Sequence, residues 1–307
     1  MAIAASEPVD SSDTRPVVRY RAYDMVFESP IPLFGFPSAP DAPVDVRIQL
    51  GATPRRLSKP EVTTPFWHAT SSEVLMSVPF VGDYHVSADS TITVDPHTDF
   101  DLVSTYLYGV PIGSAMMFRG RTVLHGAAAS FDGGAVVIVG ENGSGKSTTV
   151  SALCQSGAEP LTDNLAVVDF AGDQTSLSPG PGSVRLWQEM ADELDVDVSG
   201  ATEVEPGMGK YLLARPHHQH EPVPLRALVK IEAHPIEKPS LDRLNSVEAA
   251  AVVMDNTFRP EVATTIKPDA LGDAVRVAES VPVFTLDRPE SGFGPRELAS
   301  FLRTTLP

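Results

Sequence analysis

Hydrophobic and polar residues alternate over much of the first hundred positions, which is the pattern of β-strands with one buried face. The alternation is strict at 44–50 and partial at 17–27, and shorter strands are predicted at 73–78, 84–88 and 91–94. These segments predict a small, mostly β N-terminal region at 15–97. The polar stretch that precedes it, 1–14, is expected to be a disordered tail.

The hydrophobic period changes after residue 98. Apolar residues recur at helical spacing over 100–119 and continue past Pro111, so we expect a kinked helix there. Further strands are predicted at 122–130, 136–139, 165–169, 184–187, 210–213, 225–232 and 281–286, and helices at 147–156, 246–254 and 295–306. The pattern therefore predicts a second, mixed region at 98–307.

The most specific motif of this second region is a glycine-rich loop. Residues 140–147 read Gly-Glu-Asn-Gly-Ser-Gly-Lys-Ser, which has the form G-x-x-x-x-G-K-S. An apolar run at 136–139 precedes the loop, and 147–156 follow it without glycine or proline. A strand, a glycine loop and a helix in this order predict a phosphate-binding loop, because the backbone amides and the helix N-terminus then face a polyphosphate.

This motif assigns a role to most of its residues. Lys146 is predicted to reach the β- and γ-phosphates of a nucleotide, and the Ser147 hydroxyl to bind Mg²⁺. The predicted nucleotide contacts are Gly140, Asn142, Gly143, Ser144, Gly145, Lys146, Ser147 and Thr148.

An Asp132-Gly133 pair between two predicted strands indicates a tight hairpin directly before the loop. If this pair forms the two-residue turn, Phe131 pairs with Gly134 and every later pair of residue numbers has the same sum. His125 then lies opposite Gly140, at the mouth of the loop. We interpret His125 as a residue that touches the γ-phosphate or the entering substrate, and its alternative role is that of a hydrogen-bonded strand histidine.

Two aspartates follow the predicted helix and compete for the role of Mg²⁺ ligand or base. Asp163 precedes the apolar run 165–168, and Asp169 ends it, as a Walker B aspartate does. A strand-end turn is the stronger interpretation of Asp169, so Asp163 is the preferred candidate.

Composition limits the partners. The chain of 307 residues has a net charge of −17 and is 42% hydrophobic. Nucleic acid and anionic membranes are not expected as partners, because binding them requires clustered Lys and Arg. No apolar run is long enough for a membrane span, and the N-terminus lacks the features of a signal peptide, so a cytoplasmic protein is expected.

Cys154 is expected to be a small core residue, and His217, His218 and His220 to lie in a solvated turn.

The order of motifs resembles that of the HPr kinase/phosphorylase-like serine kinases, whose core resembles that of phosphoenolpyruvate carboxykinases. The resemblance rests on 124–127, the Asp132-Gly133 hairpin, the loop at 140–147 and Asp163-Asn164. It implies an α/β fold with a mixed α+β sheet, in which 98–307 form a P-loop core like the HPr kinase C-terminal domain. It also implies ATP and Mg²⁺ as cofactors, a hydroxyl-bearing acceptor, and is compatible with a homo-oligomer.

Carried over by position, the resemblance implies that Lys146 and Ser147 bind phosphate and Mg²⁺ and that His125 lies near the γ-phosphate. Asp163 stands where family members have the first of two adjacent aspartates, one a general base and the other a support for the metal. Asn164 takes the place of the second aspartate. No stretch matches the Gly/Ile/Asn-rich signature of true HPr kinases, so the acceptor is not identified.

Two functions follow as hypotheses. The first is an ATP-dependent kinase that phosphorylates a serine-like hydroxyl of a peptide, protein or small molecule, with Asp163 as the proton acceptor. The second is a nucleotide-binding regulatory protein without phosphotransfer, which Asn164 supports. Candidate cations for the transferred phosphoryl group are Lys146, Arg185, Lys210 and Arg215. A transport ATPase or GTPase is disfavoured, because the L-S-G-G-Q and N-K-x-D motifs are absent.

Overall fold

The computed structural model describes residues 16–172, 174–204, 207–214 and 221–306. The tail predicted at 1–14, the histidines at 217–220 and Arg215 lie outside the described residues. The chain divides into two compact units: Met1–Arg121 with Glu261–Pro268, and Thr122–Pro260 with Asp269–Pro307.

In the described part of 1–121, the first unit contains a mixed eight-stranded sheet and two helices. Its strands are β1 (Val18–Ala22), β2 (Met25–Ser29), β3 (Val46–Leu50), β4 (Val62–Thr63), β5 (Trp67–Ala69), β6 (Glu73–Val78), β7 (Gly82–Ser87) and β8 (Thr91–Pro96). They lie in the order β1-β2-β3-β8-β7-β6-β5-β4. The β2–β3 and β3–β8 pairs are parallel, whereas the remaining pairs are antiparallel.

The segment at 17–27 forms two strands rather than one. Tyr23 and Asp24 have φ angles of 57° and 52°, and they form the turn between β1 and β2. A two-residue hairpin turn favours positive φ at both central positions, which glycine, asparagine and aspartate adopt most readily. Because the first of these positions is a tyrosine, the sequence pattern did not predict the turn.

The helical segment near Pro111 is likewise two elements, α1 (Phe100–Leu107) and α2 (Val110–Phe118). The break falls at Tyr108 and Gly109, and Pro111 lies in the first turn of α2. Proline is tolerated there because its missing N–H has no partner within the helix. The prediction of a helix kinked at Pro111 is therefore wrong. Since α2 packs on β6, β7 and β8, both helices belong to the first unit, whereas the sequence pattern placed them in the second region.

The described residues of the second unit form ten strands. They are β9 (Thr122–Phe131), β10 (Gly134–Val139), β11 (Glu159–Ala171), β12 (Gln174–Ser178), β13 (Ser183–Trp187), β14 (Thr202–Glu203), β15 (Lys210–Ala214), β16 (Val223–His234), β17 (Ser240–Arg243) and β18 (Val283–Pro289). A seven-stranded sheet has the order β10-β9-β11-β12-β16-β18-β17, and β10 also pairs with β16. A three-stranded sheet has the order β13-β15-β14.

Helices cover both faces of the seven-stranded sheet. The helices of this unit are α3 (Lys146–Gln155), α4 (Gln188–Glu193), α5 (Ser246–Asp255), α7 (Ala270–Ser280) and α8 (Pro295–Thr305), whereas α6 (Pro260–Ile266) falls almost entirely in the segment Glu261–Pro268 of the first unit. On one face, Val136 and Ile138 of β10 pack in a core with residues of α3 and α8. On the other, Val137 and Val139 pack with residues of α5 and α7. Every residue of β10 is buried for this reason, which explains its continuous apolar run.

These elements define a mixed α/β architecture of the α+β kind, as the sequence predicted at the level of fold class. Cys154 belongs to α3 and, partly buried, packs against the core on that side of the sheet. Within the described residues, no helix combines the length and the apolar character needed to cross a membrane.

Candidate functional site

The hairpin before the glycine loop has the predicted register. Asp132 and Gly133 both have positive φ, and the pairs run from Phe131–Gly134 to Gly126–Val139. His125 is therefore the next residue on β9 when the chain leaves β10 at Gly140. The predicted register of this hairpin is confirmed, and His125 directly follows its last pair.

The glycine loop connects β10 to α3 in a conformation that needs its glycines. The φ angles of Gly140, Gly143 and Gly145 are 137°, 82° and 108°. A Cβ atom at Gly140 would also lie 2.6 Å from the carbonyl oxygen of Ile231, closer than real Cβ contacts allow. Position 140 therefore excludes side chains both through its backbone conformation and through the neighbouring strand.

Lys146 is folded over this loop. Only 9% of the Lys146 residue is exposed. The Nζ atom donates hydrogen bonds to the carbonyl oxygens of Gly140 and Glu141, at 2.8 and 2.9 Å. Burial lowers the pKa of Lys146, and the negative charge of Asp163 acts in the opposite direction. The ammonium group therefore lies at the loop and within the field of Asp163.

Asp163 lies beside the first turn of α3. One carboxylate oxygen, Oδ1, accepts a hydrogen bond from the Ser147 hydroxyl at 2.8 Å, and the other, Oδ2, accepts one from the Arg185 backbone N–H at 2.6 Å. Asp163 does not mark a strand start, because β11 is continuous from Glu159 to Ala171. Next to it, Asn164 has a φ of 87° inside the strand, a conformation that asparagine tolerates better than most residues.

The competing carboxylate, Asp169, is placed differently. It lies on the same strand, accepts a hydrogen bond from the Ser178 hydroxyl of β12 and does not line the cavity described below. Of the two candidate aspartates, Asp163 is the one that contacts the glycine-loop serine.

His125 is close to the loop and neutral near pH 7. One ring nitrogen of His125 is 3.2 Å from Asn142 Oδ1, and its ring packs near Phe258. Burial, with the positive charge of Lys146 adding to it, lowers the pKa of His125 to about 4. An uncharged imidazole can both donate and accept a hydrogen bond at this position.

A cavity of about 750 Å³ opens beside these residues. From the glycine loop and α3, it is lined by Asn142, Gly143, Gly145, Lys146, Ser147 and Thr148, and from the neighbouring strands by His125, Asp163 and Asn164. Gly140 and Ser144 are absent from its lining. The hydroxyl oxygen of Ser144 is buried without a hydrogen-bond partner among the described residues.

The opposite walls of the cavity come from segments distant in sequence. Arg185, Trp187 and Lys210 line it from the three-stranded sheet, and the segment 288–295 lines it after β18. Arg185 and Lys210 are among the cations predicted from the sequence. Arg288 is not among them, and its Nε atom donates to the Ser144 carbonyl oxygen at 2.9 Å. Nothing local marks Arg288, because only the pairing of β18 with β16 brings it to the loop.

One further group of side chains in the described part of the chain has the composition of a metal site. Glu232, His234 and Asp287 place their ligand atoms within 4.8 Å of one another. In the structure, His234 pairs with Asp287, and Glu232 pairs with Lys230. None of the three lines the cavity.

Comparison with known proteins adds little to this description. The chain matches no family model, and no curated protein matches it. Among solved structures it is similar to the Hpr(Ser) kinase/phosphatase from Coxiella burnetii, with 12% sequence identity. The match covers 59% of this chain and 94% of that chain, with a TM-score of 0.32. A likeness of this size indicates at most a distant relationship in fold, so the functional argument rests on the site.

Proposed function

We propose that this protein is an ATP-dependent kinase that phosphorylates a serine-like hydroxyl of a peptide, protein or small molecule. The observation that carries the proposal is the hydrogen bond between Ser147 and Asp163, at 2.8 Å, at the start of the helix that follows the glycine loop. A hydroxyl and a carboxylate in this position are the pair that a phosphate-binding loop needs for a metal–nucleotide complex.

The groups around the loop support a polyphosphate ligand. No side chain caps the N-terminus of α3, which starts at Lys146, so its first amides are available to an anion. Lys146 supplies a cation, and the unpartnered hydroxyl of Ser144 lies within the same loop. Helix dipole, amides and ammonium all favour negative charge at one place.

The same residues fit Mg²⁺. Magnesium prefers oxygen ligands and commonly takes one or two protein ligands together with substrate phosphates and water. The Ser147 hydroxyl and the Asp163 carboxylate are such ligands, and they already lie within hydrogen-bond distance. A bound Mg²⁺ would neutralise charge on the phosphates during transfer.

The transfer itself needs a proton acceptor and a fixed nucleophile. The acceptor hydroxyl oxygen forms a bond to the γ-phosphorus, the bond from that phosphorus to the β,γ-bridging oxygen breaks, and ADP leaves. In our proposal the hydroxyl proton goes to Asp163, whose oxygens each keep a further lone pair beyond the bonds from Ser147 and Arg185. Neutral His125 contributes a hydrogen bond to the γ-phosphate or to the entering hydroxyl without adding charge.

A second function, nucleotide binding without transfer, is favoured by one observation. The residue that follows Asp163 on β11 is Asn164, which cannot take a proton. A protein that binds ATP as a regulator would need the loop and the metal ligands but no base. Phosphoryl transfer therefore has to be measured separately from nucleotide binding.

The test combines calorimetry with a labelled nucleotide. We expect the wild-type protein to bind ATP at millimolar Mg²⁺ and to move label from γ-labelled ATP to a component of a lysate or peptide pool. Lys146→Met, which removes the loop cation, should lose most nucleotide binding, whereas Lys238→Met, at an exposed position, should behave as wild type.

Three results separate the alternatives. Label on an acceptor supports the kinase. Tight ATP binding without labelled acceptor supports the regulatory protein. The absence of nucleotide binding by the wild-type protein refutes both.

A further inference from the structure

Lys210 is distant from the glycine loop in sequence, but both line the same cavity. In the β13–β15 ladder, Trp187 pairs with Lys210 and Arg185 pairs with Leu212. Val184 and Leu186 of β13 are buried, so the residues that alternate with them, Arg185 and Trp187, share the other face. Side chains of directly paired residues lie on one face, and Lys210 therefore joins that face and lines the cavity.

Packing holds the Lys210 side chain there. Its Nζ atom lies 5.2 Å from the centroid of the Trp187 ring, within the range of a cation–π contact. Two residues earlier on β13, the Arg185 N–H binds the Asp163 carboxylate. The strand that carries the aromatic platform for Lys210 is thus also the strand that is tied to Asp163.

Electrostatics agree with this placement. Burial lowers the pKa of Lys210, the negative charge of Asp163 opposes that effect, and the positive charge of Arg185 adds to it. Lys210 in turn helps to lower the pKa of Lys146. Both ammonium groups therefore lie within the field of one carboxylate.

Among the described residues, the charged side chains that line the cavity are four cations, Lys146, Arg185, Lys210 and Arg288, and three carboxylates, Asp163, Glu193 and Glu290, so positive charge exceeds negative charge by one. Within the described residues, neither Lys210 nor Arg185 forms an ion pair, and Lys146 binds only backbone carbonyls. Asp163 already accepts a hydrogen bond on each of its oxygens. Like charges gathered in a half-buried site are unfavourable unless an anion joins them.

We infer that Lys210 binds the γ-phosphate of ATP, and the inference rests on the proposed function. Lys146 comes from the loop and Lys210 from the β13–β15 sheet, so the terminal phosphate would be held from two sides. The acceptor hydroxyl would then enter between that phosphate and Asp163. An anionic group on the acceptor is the competing ligand for Lys210, and the experiment separates the two.

The experiment measures the affinity of the protein for Mg·ADP and for a non-hydrolysable Mg·ATP analogue by calorimetry. Lys210→Met keeps an apolar side chain over Trp187 and removes the charge, Lys210→Arg keeps the charge, and Lys238→Met is the exposed control. We expect Lys210→Met to weaken binding of the analogue about tenfold or more while ADP binding changes less than about twofold. Lys210→Arg should recover part of the loss, and the control should match wild type.

Equal weakening of ADP and of the analogue, or no change in either, would overturn the inference, because it requires selectivity for the third phosphate. If Lys210→Met does not fold, the side-chain NMR signals of Lys210 in the wild-type protein serve instead: they should shift with the analogue and not with ADP, and identical spectra would refute the contact. If the wild-type protein binds neither nucleotide, the proposed function fails and this inference fails with it. If the wild-type protein binds nucleotide but Lys210→Met does not selectively weaken binding of the analogue, only this inference is refuted and the proposed function stands.

Discussion

Replacing Asp163 with asparagine removes the charge of the proposed base and leaves its size nearly unchanged. The carboxylate accepts one hydrogen bond on each oxygen, from Ser147 Oγ and from the Arg185 N–H. Asparagine has one acceptor oxygen and one NH₂ group, so it can keep the Arg185 bond while the Ser147 hydroxyl rotates to accept from the NH₂ group. Both charge-assisted bonds are then replaced by neutral ones, and we expect stability to fall by about 1–2 kcal/mol.

The effect on phosphoryl transfer should be much larger than the effect on folding. A positioned general base contributes roughly 10²- to 10⁴-fold to a reaction, so Asp163→Asn should slow transfer by about that factor. Affinity for Mg·ATP should stay within a few-fold of wild type, because the loop, Lys146 and Ser147 are unchanged and Mg²⁺ commonly takes a single protein ligand together with phosphate oxygens and water. The assay is single-turnover transfer of label from γ-labelled ATP, with calorimetry for affinity and urea unfolding for stability.

Asp169→Asn is the matched control. Asp169 lies on the same strand and also accepts a hydrogen bond from a serine hydroxyl, but it does not line the cavity. Transfer should survive in this variant. Undiminished transfer by Asp163→Asn would remove Asp163 from the mechanism, and loss of transfer in Asp169→Asn alone would return the catalytic role to Asp169.

Two further predictions concern the neighbours of Asp163. Asn164 has a φ of 87°, so Asn164→Ala should be about 1 kcal/mol less stable to urea than Asn164→Gly, which loses the same side chain but has no Cβ; equal stability would show that the backbone is not strained there. His125, with its pKa lowered to about 4 mainly by burial, stays neutral in the fold while the unfolded chain takes up a proton below about pH 6.5. Its contribution to stability is therefore intact above about pH 6.5 and is lost as the pH falls towards 4. Urea unfolding at several pH values should show a shallower acid loss for His125→Gln than for wild type, and parallel curves would contradict the shifted pKa.

Much of the loop side of the site could be predicted because its determinants are local. The Asp132-Gly133 turn sets the register of β9 against β10, and that register leads His125 to the mouth of the loop. The three glycines of the loop with positive φ mark where the backbone must take conformations that other residues avoid.

Other local predictions failed where a competing effect was present. The turn at Tyr23 and Asp24 uses positive φ without a glycine, so the pattern at 17–27 looked like one strand. Pro111 begins a helix instead of kinking one, since the chain already breaks at Gly109. Asn164 has a left-handed backbone conformation inside the continuous strand β11. Because asparagine is rare in strands, the sequence pattern predicted a strand that starts only after it, at 165.

By itself the sequence determined the glycine-loop motif, the hairpin register and the mixed fold class, because each depends on residues a few positions apart. Only the tertiary structure showed that Asp163, and not Asp169, contacts Ser147 and lines the cavity, and only it brought Lys210 and Arg288 to the same cavity as the loop. Side chains from separate strands converge through sheet pairing and packing over long sequence distances. Those interactions leave no periodic signal in the sequence. The cavity wall opposite the glycine loop therefore could not be predicted from the sequence.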